Sequence, residues 1–146
     1  MNSEITHMYA QGQARMVDVA HKQPTERTAT ASARITMKPE VVRTIQDAAA
    51  PKGDVIAAAR IAGILAAKKT SELIPLCHPI PLDSATIDFA LSSNAIDITA
   101  TAKTTNKTGV EMEALTAASV AALTLYDMCK SMDRAMVIGP IQLEEK

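Results

Sequence analysis

From Arg27 to Met37 apolar and polar residues alternate. Ala29, Ala31, Ala33, Ile35 and Met37 fall on one side, and Thr28, Thr30, Ser32, Arg34 and Thr36 on the other. A period of two predicts a half-buried strand. Pro39 suits the first turn of a helix, and PEVVRTIQDAAA (39–50) predicts a short one. Gly53 breaks the chain and Asp54 offers an N-cap, so a second helix is expected over Val55 to Lys69. It ends in Lys68 and Lys69, cations at the negative end of the helix dipole. Two further alternating runs, Ala85 to Leu91 and Ala95 to Lys103, predict a hairpin. Its turn, SSNA, is expected to close through Asn94 at positive φ. Thr108 to Lys130 carries the strongest helical pattern, and TGVE reads as a capping box with Thr108 as N-cap and Glu111 reaching back. Met136 to Leu143 reads as a last strand. RMVDV (15–19) predicts a short edge strand, and residues 1–14 a flexible polar tail.

Leaving out the short extras, the order is strand, helix, strand, strand, helix, strand. That order predicts an α+β fold of the ferredoxin-like βαββαβ plan, an antiparallel sheet with helices packed on one face. Residues 15–146 are expected to form one such domain.

The two long helices lack a wet face. No charged residue occurs from Ala114 to Tyr126, and Arg60 is the only charge between Val55 and Ala67. A helix that is apolar all round is normally buried all round, and one small sheet cannot bury two of them. The plain alternative is that Ala, Thr and Ser simply tolerate water. Large apolar faces are uncommon on monomers, so a homo-oligomer is expected. A second stripe on the last helix runs Glu113, Thr116, Val120, Leu123, Asp127, Lys130. Its ends are charged and its middle apolar, which predicts that this side is buried too, with charges at the edges of a dry patch.

Composition narrows the function. The chain has 146 residues, 47% hydrophobic but only 2% aromatic, so the core must be built from Ala, Ile, Leu, Val and Met. A net charge of −1 gives no basic field for nucleic acid, and so few aromatics give no stacking platform. Cys77 and Cys129 match no metal or redox spacing and read as reduced thiols of a cytoplasmic protein. The first residues have no apolar signal-peptide core, and no apolar run reaches membrane-spanning length. His78 among scattered carboxylates is not a metal-ligand set.

The candidate chemistry gathers in few places. ELIPLCHPIPL (72–82) holds His78 in an apolar surround fenced by Pro75, Pro79 and Pro81. The stretch is too short and too broken for a helix. A lone histidine commonly just bonds a backbone carbonyl, but rigid placement is also what a site needs. Lys52 precedes Gly53-Asp54 and reads first as a solvated loop lysine; the glycine run is too short for a P-loop. Glu111 has its capping box. Glu113 has no such simple role. Asp127 and Lys130 suit an i,i+3 ion pair. Lys22, Arg27, Lys68 and Lys69 could gather an anion.

The long strings KGDVIAAARIAGILAAKKTSELIPLCHPIPL and KTGVEMEALTAASVAALTLYDMCK, with MVDV near the start and MVIGPIQL near the end, are more specific than any of these motifs. They resemble the molybdenum cofactor biosynthesis protein C family, the cyclic pyranopterin monophosphate synthases. The likeness covers nearly the whole chain. It implies a lyase that rearranges a cyclised dihydro-GTP into cyclic pyranopterin monophosphate and releases pyrophosphate. It implies a homohexamer, a trimer of dimers, with the active site at a dimer interface. The family's catalytic residues fall on Lys52, Asp127 and Lys130. Its substrate-binding segments fall on Leu76, Cys77 and His78 and on Met112 and Glu113. Glu111 matches an acidic position of that site, and Arg27 a basic position from the neighbouring subunit. Lys22, Lys68 and Lys69 are expected to help Arg27 bind the triphosphate. Two lysines placed close together repel, which would let one act as base while the other stays charged. No metal and no cofactor of the protein's own are implied, although a divalent ion could accompany the triphosphate. Cys77 then reads as a packing residue.

Two other classes share the plan. A small-molecule sensor would bind without catalysis; charged groups at the edge of a dry stripe favour an enzyme. An RNA-binding domain is disfavoured by charge and by the shortage of aromatics.

Overall fold

The computed structural model describes residues 12–146. The expected tail, residues 1–14, lies almost wholly outside the described residues. The elements run β1 (Thr25–Thr36), α1 (Pro39–Gln46), α2 (Val55–Lys68), α3 (Thr70–Leu73), β2 (Ser84–Leu91), β3 (Ala95–Asn106), α4 (Glu111–Cys129) and β4 (Val137–Glu145). The sheet is antiparallel in the order β2-β3-β1-β4, the ferredoxin-like arrangement expected from the element order. In the β1–β3 register Ala29 faces Ala102, Ala31 faces Ala100, Ala33 faces Ile98 and Ile35 faces Ile96. All eight are buried. They form the floor on which α4 lies, while α2 packs against α4 and β2.

Small side chains let the two helices touch. A Cβ added at Gly63 would meet Ile87, the carbonyl of Ala117 and the methyl of Ala121. Only glycine permits that approach, and the alanine-rich facing side of α4 completes it. Asp54 caps α2, its carboxylate accepting the Ala57 amide at 3.0 Å.

Several local expectations fail for identifiable reasons. The segment 15–19 is not a strand; it runs irregularly beside the proline loop. α1 stops at Gln46, because Ala48 turns left-handed (φ 55) and Pro51 disfavours helix in the residue before it. Asn94 is not at positive φ. The turn is closed instead by the Ser92 amide and hydroxyl, which both donate to the Ala95 carbonyl at 2.9 and 3.2 Å. Thr108 caps nothing: α4 begins at Glu111 with Val110 in the cap position and no side-chain cap. Within ELIPLCHPIPL, Glu72 and Leu73 belong to the short α3, and the rest is irregular.

Neither helix hides its outer side within one chain. Ile61 and Leu65 of α2 and Leu123 of α4 are exposed, Leu123 to 58%. The second stripe on α4 is therefore buried only at its start, at Glu113 and Thr116, and opens to solvent towards Asp127. On the sheet, edge strand β4 exposes Val137, Ile141 and Leu143.

Candidate active site

At the C-terminal end of α4, Lys130 Nζ lies 3.0 Å from one carboxylate oxygen of Asp127. Lys52, carried on the turn before α2, reaches the other oxygen at 3.6 Å and donates to the Asp127 main-chain carbonyl at 3.2 Å. That carbonyl is one of the four a helix terminus leaves without an internal partner. The neighbouring left-handed Gly53 (φ 103) turns the chain so that Lys52 arrives there. Asp127 sits at the unfavourable end of the helix dipole, and the two cations compensate. The hydrogen bond from Lys130 and then the charges of Lys52 and Lys130 hold its carboxyl below the usual range. An anion thus stands between the lysines, where the sequence suggested direct repulsion.

At the opposite end of α4 a cleft of about 240 Å³ is lined by Leu76, Cys77, His78 and Ile80 of the proline loop. Its other wall is Thr108, Gly109, Glu111, Met112 and Glu113. Glu113 is only 3% exposed. Desolvation pushes its carboxyl up, against an opposing backbone hydrogen bond, and the Glu111 charge adds to the rise. Burial, and secondarily the Glu113 charge, raises the Cys77 thiol. An activated nucleophile requires the reverse shift. Cys129, buried in the core, is pushed up to about 11 by burial alone.

His78 bonds a backbone carbonyl, as a lone histidine commonly does. Its Nε2 lies 2.7 Å from the Val17 carbonyl, and since a carbonyl only accepts, Nε2 carries the proton. The ring also lines the cleft. The segment that fails to form a strand therefore orients this imidazole.

A second lobe of about 250 Å³ adjoins the first across Gly109 and Glu111 and is lined by Thr25, Glu26, Arg27, Thr28 and Lys146. Lys146 lies 3.7 Å from the Glu111 carboxylate. The Glu111 carboxylate lies where a Cβ on Gly109 would be, and the side chain borders both lobes without capping the helix. Arg27 donates from Nε to the Asn106 carbonyl at 3.2 Å, which holds it at the rim.

The ten cleft, rim and cluster residues do not converge within one chain. Glu113 and Asp127 stand fourteen residues apart on one helix, about 21 Å at 1.5 Å per residue. Leu76, Cys77, His78, Glu111, Met112, Glu113 and Arg27 gather at one end, and Lys52, Asp127 and Lys130 at the other. Lys22, Lys68 and Lys69 are exposed and line neither lobe. Ile80, Gly109 and Lys146 were not expected at a site, and Thr108 was expected only as an N-cap. The glycine inside the apparent capping box was the one available signal. Among the described residues no three His, Cys, Asp or Glu side chains gather to hold a metal ion, and no helix is long and apolar enough to cross a membrane.

Two lysines share one aspartate at one end of α4, and at the other end lies a cleft with a buried carboxyl whose adjoining lobe holds an arginine; these are groups of the kind suited to proton transfer on an anionic small molecule. The MoaC family model matches residues 16–146, and the chain belongs to that family. The cyclic pyranopterin monophosphate synthase of Brevibacillus brevis is 55% identical over 147 aligned positions, spanning 100% of this chain and 92% of the relative. That of Novosphingobium aromaticivorans is 55% identical, spanning 99% and 92%. Cyclic pyranopterin monophosphate synthase 1 of Mycobacterium bovis is 57% identical, spanning 97% and 84%. The resemblance seen in the long motifs is thereby confirmed.

Proposed function

We propose that this chain is a cyclic pyranopterin monophosphate synthase, a lyase of molybdenum cofactor biosynthesis. It converts the cyclised dihydro-GTP into cyclic pyranopterin monophosphate and releases pyrophosphate. Family membership at more than half identity carries this reading, and the Lys52–Asp127–Lys130 cluster supplies its chemistry. Rearrangement needs proton transfers, and departing pyrophosphate develops negative charge. Lys52 and Lys130 serve the first as acid and base and offset the second as cations, while Asp127 orients both. Glu113, largely desolvated and with its carboxyl raised by that desolvation, faces the pterin from the cleft wall. His78, Cys77, Leu76 and Met112 form the wall around it, Glu111 borders both lobes, and Arg27 receives phosphate. The reaction requires no cofactor of the protein's own, and a divalent ion could travel with the triphosphate. Free Cys77 and Cys129 suit a cytoplasmic setting.

The working unit in this reading is an oligomer. A two-fold axis passing Val120, midway between Glu113 and Asp127, would set the cleft end of each α4 beside the lysine end of its partner's. Arg27 would then come from the subunit opposite the lysines. Exposed Ile61, Leu65 and Leu123 offer an apolar surface for such a pairing, and the β4 edge offers a second surface. Two kinds of interface are what a trimer of dimers needs.

The test is turnover. Purified protein incubated with the cyclised nucleotide should release pyrophosphate stoichiometrically with the pterin product. Binding without release would make the chain a sensor and overturn the proposal.

A further inference from the structure

His78 is separated from Pro81 by Pro79 and Ile80, so two of the three residues following His78 have φ locked near −65°. A segment this stiff transmits a restraint along itself. The restraint exists at its far end: the hydroxyl of Thr104 donates to the Pro81 carbonyl at 2.7 Å. Thr104 is 0% exposed, at the end of β3 on the core-facing side of the sheet. The next ties lie further from the imidazole, at Asp83, whose amide donates to the Lys103 carbonyl at 2.7 Å and whose carboxylate accepts from Thr105 at 3.1 Å. Upstream, the Cys77 amide donates to the Ile74 carbonyl at 3.1 Å, within the loop itself. Among the bonds between this loop and the sheet, that of Thr104 is the one nearest His78.

We propose that Thr104 is a positioning residue for the reaction. Its hydroxyl fixes the Pro81 end of the loop, the prolines carry that restraint back to His78, and the Val17 carbonyl sets the ring's orientation from the other side. Held at both points, the imidazole meets the substrate in one tautomer, with Nε2 protonated and Nδ1 left to the ligand. Thr104 touches no substrate in this scheme. The proposal rests on the reading of the cleft as the pterin site.

Thr104→Val tests it, because valine keeps the shape and removes only the hydroxyl. The expected result is a drop of about tenfold in kcat/KM, with the oligomer intact and most of the change in KM. Thr104→Ser should restore most of the loss. A control such as Ile98→Val, on the same strand and core face, should lower Tm without moving KM. The deciding measurement is the double mutant: in a His78→Ala background Thr104→Val should lower Tm as before yet cost less than twofold in kcat/KM. Wild-type kcat/KM in Thr104→Val, or an undiminished loss in the His78→Ala background, overturns the proposal. Absence of turnover in the unmodified protein would instead refute the assigned activity, so the two failures are distinct.

Discussion

Lys52 holds two parts of one residue: its ammonium group donates to the Asp127 main-chain oxygen at 3.2 Å and faces the Asp127 carboxylate at 3.6 Å. The same side chain therefore ties the turn before α2 to the end of α4 and helps place the charge that Lys130 shares. A lysine with both a capping and a chemical role calls for variants that separate them.

Lys52→Ala and Lys130→Ala should each lower single-turnover pyrophosphate release by about 100-fold or more, the range expected for removal of a general acid or base. Lys52→Arg should keep the cap and the charge, and so the stability of Lys52→Ala's parent, while failing to restore turnover. The double alanine variant should be little worse than either single, as for groups acting as a unit. Near-normal rates in Lys130→Ala would reject this mechanism.

Glu113 makes stability depend on pH in a stated direction. Its folded carboxyl is raised above the ordinary value of 4.5, chiefly by desolvation. Its favourable contribution is thus complete below about pH 4.5 and is lost as pH rises through the higher folded value. Glu113→Gln should therefore be more stable than the parent at neutral pH, with the difference shrinking towards acid, while turnover falls. Denaturant melts at both ends of that window check it; a gap independent of pH would refute the assignment.

Val120 and Leu123 mark the middle of the α4 surface left open in one chain. Val120→Glu or Leu123→Glu should dissociate the oligomer or prevent folding, since an unpaired charge at an apolar interface costs several kcal/mol. Sedimentation velocity reads the outcome. A parent that sediments as a stable monomer at micromolar concentration would remove the basis for the assembled site.

Arg27→Ala should weaken substrate affinity more than turnover and reduce the salt dependence of binding. Lys22, Lys68 and Lys69 line neither lobe of one chain, so their removal should have the smaller effect unless assembly brings them to the cleft. Titration at two ionic strengths separates the cases. An unchanged affinity in Arg27→Ala would take that residue out of the phosphate site.

Alternation in β1, β2 and β3, the run in α2 with Arg60 as its one charge before Lys68 and the charge-free run in α4 were enough to predict the elements and the antiparallel plan, because residues two or four apart see the same environment. The same runs predicted the surfaces that one chain leaves exposed. Element ends were less legible. The TGVE string suggested a capping box, yet α4 starts at Glu111 without a side-chain cap, and the Glu111 carboxylate lies by Gly109 and Lys146, the latter at the far end of the chain. The separation of the site residues was not legible either. A linear motif lists Glu113, Asp127 and Lys130 together, yet the rise of α4 sets the first about 21 Å from the second. Lys52 joins Asp127 across 75 positions and Val17 orients His78 across 61. Such pairings arise from the packing of α2 on α4 and of the chain's beginning on the proline loop, and local sequence carries no trace of either because the contacts form between segments with no common periodicity.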